Sequence, residues 1–172
     1  HLFCSVPRIY EKIYSNFIAA IDNKAVLRFG LKIPILSGIF KKKLKEAAGF
    51  GDLKFAISGA APINPDILAL FQKLDIPLFE GYGMTENTAG ATLNYLGHNK
   101  IGSVGKALPN TEIKIANDGE VMIQGDHVMK GYYKNPEATT ETLVDRWLHT
   151  GDIGKLDSDG YLYITCLLYT SP

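Results

Sequence analysis

The chain has 172 residues, 46% hydrophobic and 21% charged, with 18 basic and 18 acidic side chains and a formal net charge of zero. This balance supports a globular core of one domain or a little more, and it argues against a general nucleic-acid binder, which needs a basic footprint. Two cysteines, Cys4 and Cys166, without metal-like Cys/His spacing fit a reducing, cytosolic compartment, and no apolar run is long enough to span a membrane.

The first residue is His1, and no signal-peptide pattern follows it, so the chain reads as a piece of a longer protein. Residues 1–5 read as the end of a strand. Val6-Pro7-Arg8 leads into a helix whose apolar stripe is Ile9, Ile13, Phe17 and Ala20. Residues 24–48 read as further helix, and Lys41, Lys42, Lys43 and Lys45 make a solvated basic face on it. Leu53 to Ile57 alternates as a strand, and Ser58-Gly59-Ala60-Ala61-Pro62 is a turn. Asn64 is placed to cap a helix, with Pro65 at its first position and Asp66 in its first turn. Ile67, Leu68, Phe71 and Leu74 give that helix its apolar face, and residues 76–79 form the next strand.

This is a β-α-β unit, whose two strands should be parallel with a right-handed crossover. Residues 58–61 and 80–86 then leave the carboxyl ends of neighbouring strands, the edge where open α/β folds bind ligands.

The segment Glu80-Gly81-Tyr82-Gly83-Met84-Thr85-Glu86 carries the chemistry. Gly81 and Gly83 would let the backbone bend sharply and a ligand approach closely. Tyr82 offers a flat face for a base, Thr85 a hydroxyl for a phosphate oxygen, and Glu86 a carboxylate for a hard cation such as magnesium. These are the parts of a nucleotide-triphosphate site. The dinucleotide fingerprint is excluded, because its third glycine is missing. Gly102 to Ala107 is not a Walker A loop, because its glycine spacing is wrong and Ala107 stands where a Ser or Thr is needed.

Beyond about residue 96 the elements shorten. Residues 112–115 and 120–123 alternate around Asn117-Asp118-Gly119 as a hairpin. Residues 137–144 read as a short helix and residues 153–165 as a second hairpin around Asp157-Ser158-Asp159-Gly160. That aspartate pair lacks the later ligands of a calcium loop and reads as a turn. Trp147, Tyr132 and Tyr133 read as packing residues, and His149 as a structural histidine beside a site.

Five blocks, in order, resemble the adenylate-forming enzymes, and within them bacterial long-chain fatty-acid–CoA ligases. They are Ser5 to Lys12, Ser58 to Pro62, Tyr82 to Glu86, Gly119-Glu120-Val121 through Gly131-Tyr132, and Trp147 to Asp152. The resemblance implies an α/β fold class, a parallel β-α-β portion over residues 1–96 followed by a small, distorted β-barrel-like subdomain over 97–165. It implies that a carboxylic acid is joined to ATP, giving acyl-adenylate and pyrophosphate, and that coenzyme A then takes the acyl group as a thioester. The expected ligands are ATP or AMP, magnesium, a fatty acid and coenzyme A as a substrate.

The resemblance also implies roles. Gly59, Ala60 and Ala61 would line the adenine pocket, within a nucleotide site that includes Glu80, Gly81, Tyr82, Gly83 and Met84. Tyr82 would stack on adenine. Thr85 would contact the α-phosphate, Glu86 would bind magnesium, and Asp152 would take the ribose hydroxyls. Residues 87–91 are small and would border an acyl pocket. The family's upstream phosphate loop, C-terminal catalytic lysine and hinge arginine are missing from this chain. After Tyr163-Ile164-Thr165 the tail Cys166 to Pro172 leaves the pattern and resembles translated adapter sequence. Acyl chain length, oligomeric state and peripheral membrane contact of a cytoplasmic parent stay open.

Overall fold

The computed structural model describes residues 1–23 and 34–166, in two compact units, His1–Phe79 and Glu80–Pro172. In the first, β1 (Leu2–Ser5) pairs in parallel with β2 (Phe55–Ser58), Leu2 opposite Phe55 and Ser5 opposite Ser58. Among the described residues three helices accompany them: α1 (Pro7–Asn23), α2 (Pro34–Ala47) and α3 (Pro65–Lys73). The expected helical residues 24–33 lie outside the described residues.

The buried stripe of α1 keeps Ile13, Phe17 and Ala20 of the expected one and differs from it only at its start. Ile9 is 41% exposed, whereas Tyr10 is fully buried with Phe17. Tyr10 earns its place with both ends of its side chain. Its ring meets Phe3 and Phe71 edge-on, and its hydroxyl donates to the Ile57 carbonyl at 2.9 Å. An aromatic residue with a polar tip is well placed where one end is dry and the other finds a backbone acceptor. Phe50, Phe71, Leu74 and Ile76 complete this core.

The start of α3 follows its local chemistry. Asn64 is extended (φ −62°, ψ 126°), and its side chain accepts from the Asp66 N–H, with Pro65 inside the first turn. Ile67, Leu68, Phe71 and Leu74 are buried as expected. The lysine run of α2 lies on the surface as expected. Lys41 pairs with Asp75 at 2.9 Å and Lys42 reaches Glu46 at 3.9 Å.

The strand after α3 starts later than expected. The Ile76 N–H still bonds back to the Phe71 carbonyl, and Pro77 has no N–H to give a ladder. β3 therefore runs from Leu78 to Tyr82 and takes in Gly81, which is a paired strand residue and not a bend.

In the second unit, Gly81 and Tyr82 pair antiparallel with β4 (Thr92–Leu93), which pairs with β5 (Lys106–Ala107). A larger antiparallel sheet follows. β6 (Thr111–Ile115) and β7 (Glu120–Gly125) form the expected hairpin, and β9 (Trp147–Leu156) and β10 (Leu162–Cys166) form the second. The order is β10-β9-β7-β6, with β8 (Leu143–Val144) also on β9. Among the described residues no closed barrel forms, and β6 is left as an edge. A short helix, α4 (Pro136–Thr142), precedes β8.

β9 alternates strictly. Leu148, Thr150 and Asp152 are buried, while His149 and Gly151 are only half-buried. Leu148 joins Val121, Ile123, Leu162 and Ala91 in this unit's core. The Asp157–Gly160 turn carries no cation cage. Lys100 Nζ bonds both Asp157 and Asp159 at 2.6 Å. The tail beyond Cys166 lies outside the described residues.

Candidate nucleotide site

The site residues of the second unit sit on three elements. β3 delivers Glu80, Gly81 and Tyr82. The Glu80 side chain is buried, and its carbonyl accepts from the Asn94 N–H. Tyr82 packs partly against the core of this unit.

After β3 the chain passes Gly83 and the extended Met84 into a 3-10 turn, Thr85–Asn87. The Asn87 carboxamide accepts from the Met84 N–H at 2.9 Å and holds the entry to the turn. Thr88 and Ala89 then adopt left-handed conformations (φ 58° and 66°), and the Ala89 N–H returns to the Met84 carbonyl. The sharp reversal expected at the glycines is made here. Gly83 serves a different need: a Cβ on it would stand 2.5 Å from the Ala89 carbonyl carbon and oxygen. The close approach is therefore by the protein's own backbone.

Thr85 is exposed and Glu86 half-buried, so both can meet a ligand. Asn87 is fully buried, and its Nδ2 has no hydrogen-bond partner among the described residues. Glu86 is braced at both ends. Its carbonyl accepts from the Met129 N–H at 2.7 Å, and its Oε1 accepts from the Tyr132 hydroxyl at 2.8 Å. Tyr132 is thus not only a packing residue, and its neighbour Tyr133 is 88% exposed. Burial, then the bond to Glu86, pushes the Tyr132 phenol upward, which keeps it a donor.

The third element is β9. The Tyr82 hydroxyl donates to Asp152 Oδ2 at 2.5 Å. Burial, then this bond, raises the Tyr82 phenol above the ordinary tyrosine range, so it stays protonated at neutral pH. The Asp152 N–H donates to the Thr150 hydroxyl, which donates to the Val121 carbonyl. Glu120 binds two neighbours: Oε1 accepts from the Gly151 N–H at 2.8 Å, and Oε2 lies 2.7 Å from His149 Nδ1. His149 is held by a carboxylate beside the site, in keeping with a structural role. Glu120 and Thr150 lie in matched blocks and Asn87 in the small stretch 87–91, but the residue pattern gave none of the three these bonding roles, because their partners are set by the strand register and the turn.

In the first unit, Gly59, Ala60 and Ala61 form the turn after β2, with Ala60 left-handed at φ 67° and Ser58 fully buried.

The donor set can be tested for magnesium. Among the described residues no three His, Cys, Asp or Glu side chains gather as a metal cage. Magnesium is ordinarily held by one or two carboxylates together with substrate phosphates and waters. The accessible Glu86 carboxylate, beside the Thr85 hydroxyl, fits that pattern.

Residues 1–133 match the family model of the AMP-binding enzymes. The chain belongs to that family. A relative in the family, the fadD11 protein of Mycobacterium tuberculosis, named as a fatty-acid–CoA ligase, is 49% identical over 71% of this chain and 22% of its own length. The long-chain-fatty-acid–CoA ligase FadD15 of Mycobacterium bovis is 33% identical over 94% of this chain and 31% of its own. The chain thus spans less than a third of these relatives. The o-succinylbenzoate coenzyme A synthetase of Bacillus subtilis, solved with ATP and magnesium, is 33% identical with a TM-score of 0.60. It covers 65% of this chain, which covers 26% of it. No described helix is long and apolar enough to cross a membrane.

Proposed function

We propose that this chain is part of an AMP-forming acid–CoA ligase acting on long-chain fatty acids. The observation that carries the reading is the braced turn Gly83–Ala89, on which Thr85 is exposed and its neighbour Glu86 half-buried. The names of the fadD11 and FadD15 relatives support the fatty-acid substrate.

The chemistry asks for such an arrangement. A carboxylate attacking the α-phosphate of ATP brings two anions together, so the barrier falls mainly through positioning and charge neutralisation. Magnesium on Glu86 would offset the phosphate charge. Thr85 would donate to an α-phosphate oxygen, Tyr82 would present its ring to the adenine, and Asp152 would accept from the ribose hydroxyls. The bond breaks between the α- and β-phosphorus groups, pyrophosphate leaves, and the acyl-adenylate then gives its acyl group to the thiol of coenzyme A with loss of AMP.

The test is acid-dependent pyrophosphate release by the full-length parent, with ATP, magnesium and a panel of acids, without coenzyme A. Release with fatty acids is expected. Glu86→Gln should lower it by about 10²–10³-fold with the fold intact, the usual cost of removing a charge-stabilising group. No release with any acid of the panel, from a folded parent, would overturn the reading in favour of a non-catalytic binding module.

A second reading is an adenylating ligase for an aromatic acid. The likeness to the o-succinylbenzoate enzyme favours it. The same panel separates the two by the acid preferred.

A further inference from the structure

The segment after β7 touches the Thr85–Asn87 turn at three points. The Met129 N–H donates to the Glu86 carbonyl at 2.7 Å, the Thr88 hydroxyl donates to the His127 carbonyl at 2.7 Å, and the Tyr132 hydroxyl donates to Glu86 Oε1 at 2.8 Å. The first holds the backbone of the turn, and the second holds the Thr88 side chain just after it. The third fixes the carboxylate itself.

Tyr132 is in turn anchored from α4. Its N–H donates to the Thr139 hydroxyl at 2.9 Å, and that hydroxyl donates to the Asn135 carbonyl at 2.7 Å. Asn135 also caps α4 by accepting from the Ala138 N–H. Gly131 lets the chain sit this close: at φ 147°, a Cβ there would stand 2.6 Å from the Thr139 methyl. The path from α4 to the Glu86 carboxylate is thus a run of short, directional contacts.

We infer that Tyr132 is a positioning residue for the Glu86 carboxylate, holding Oε1 by its hydroxyl so that Oε2 is presented to the divalent cation. This rests on the reading of Glu86 as the magnesium ligand. A phenol donating to one carboxylate oxygen removes a rotation the side chain would otherwise have to lose on binding metal, and partners of this kind orient metal ligands elsewhere. The neutral donor leaves the carboxylate its charge.

The experiment uses the full-length parent and titrates magnesium, reading ATP binding by calorimetry alongside pyrophosphate release. Tyr132→Phe should raise the magnesium concentration at half-saturation by about tenfold. Affinity for AMP without metal should stay unchanged. Thr139→Val, which removes the acceptor for the Tyr132 N–H, should shift the same midpoint in the same direction by less. Should Tyr132→Phe not fold, Thr139→Val decides. An unmoved magnesium midpoint with normal melting would overturn the inference while leaving the role of Glu86 standing. Glu86→Gln tests that role separately: if it keeps the wild-type magnesium dependence, the reading of Glu86 itself fails.

Discussion

Tyr82 and Asp152, 70 residues apart in the chain, share a 2.5 Å hydrogen bond. The carboxylate proposed for ribose is therefore bonded to the residue proposed for adenine. Two roles assigned separately to two blocks are one coupled unit.

Tyr82→Phe isolates that coupling. The ring remains, and only the hydroxyl leaves Asp152. Stability should fall by about 1.5–3 kcal/mol, the usual contribution of a hydrogen bond to a charged group. AMP affinity should hold or rise, since the carboxylate is released for ribose. Urea unfolding and an AMP titration check both. Loss of AMP binding would assign the hydroxyl itself to the nucleotide.

Gly83→Ala probes the turn. The added methyl meets backbone at 2.5 Å, which cannot rotate away as a flexible side chain would. The expected cost is about 1–3 kcal/mol, the range for overpacking, together with weakened nucleotide binding because Thr85 and Glu86 are displaced. Chemical denaturation and the same titration read it.

The Lys100 clamp predicts a pH dependence. Its bond to Asp157, then the Tyr161 N–H, holds that carboxyl down to about 2 from the ordinary 3.8. A depressed folded-state value means stabilisation that is complete above the unfolded value and lost as pH falls through the folded one. The stability difference between wild type and Lys100→Met should be constant above about pH 5, shrink below it and lose its pH-dependent part by about pH 1. Denaturation series at matched ionic strength would show it. A difference independent of pH would assign the effect to Lys100 packing on the Tyr161 ring, 4.6 Å from its centroid.

Phe71 is the reference for the first unit. It is fully buried and its ring meets Tyr10, Phe17 and Phe50. Phe71→Ala should cost about 3–5 kcal/mol, measured by thermal or urea unfolding.

What could be read from the residues was local. Asn64-Pro65-Asp66 announces a helix start, and Asn117-Asp118-Gly119 a hairpin, because the chemistry is complete within a few positions. The stripe of α1 is legible at Ile13, Phe17 and Ala20 but not at its start, since Ile9 and Tyr10 are both apolar enough and only the packing of Phe3 and Phe71 decides which is buried. β3 was misplaced because Gly81 looks like a breaker until β4 supplies its pairing partner. The bonds Tyr132–Glu86 and Tyr82–Asp152 have no local signature. They arise where separate strands and turns meet, and periodicity does not reach across 46 or 70 positions.

The alternation of β9 has a consequence for how this protein can change length. Leu148 in the core and the carboxylate of Asp152 share one face of the same strand. A single residue inserted or deleted between them would turn one of the two outward, since side chains along a strand alternate. The segment is therefore locked in length by folding and by the ligand role proposed for Asp152 together. The Asp157–Gly160 turn, a few residues on, is free of that constraint. Among homologous chains, gaps should collect in such turns and spare the interval from Leu148 to Asp152.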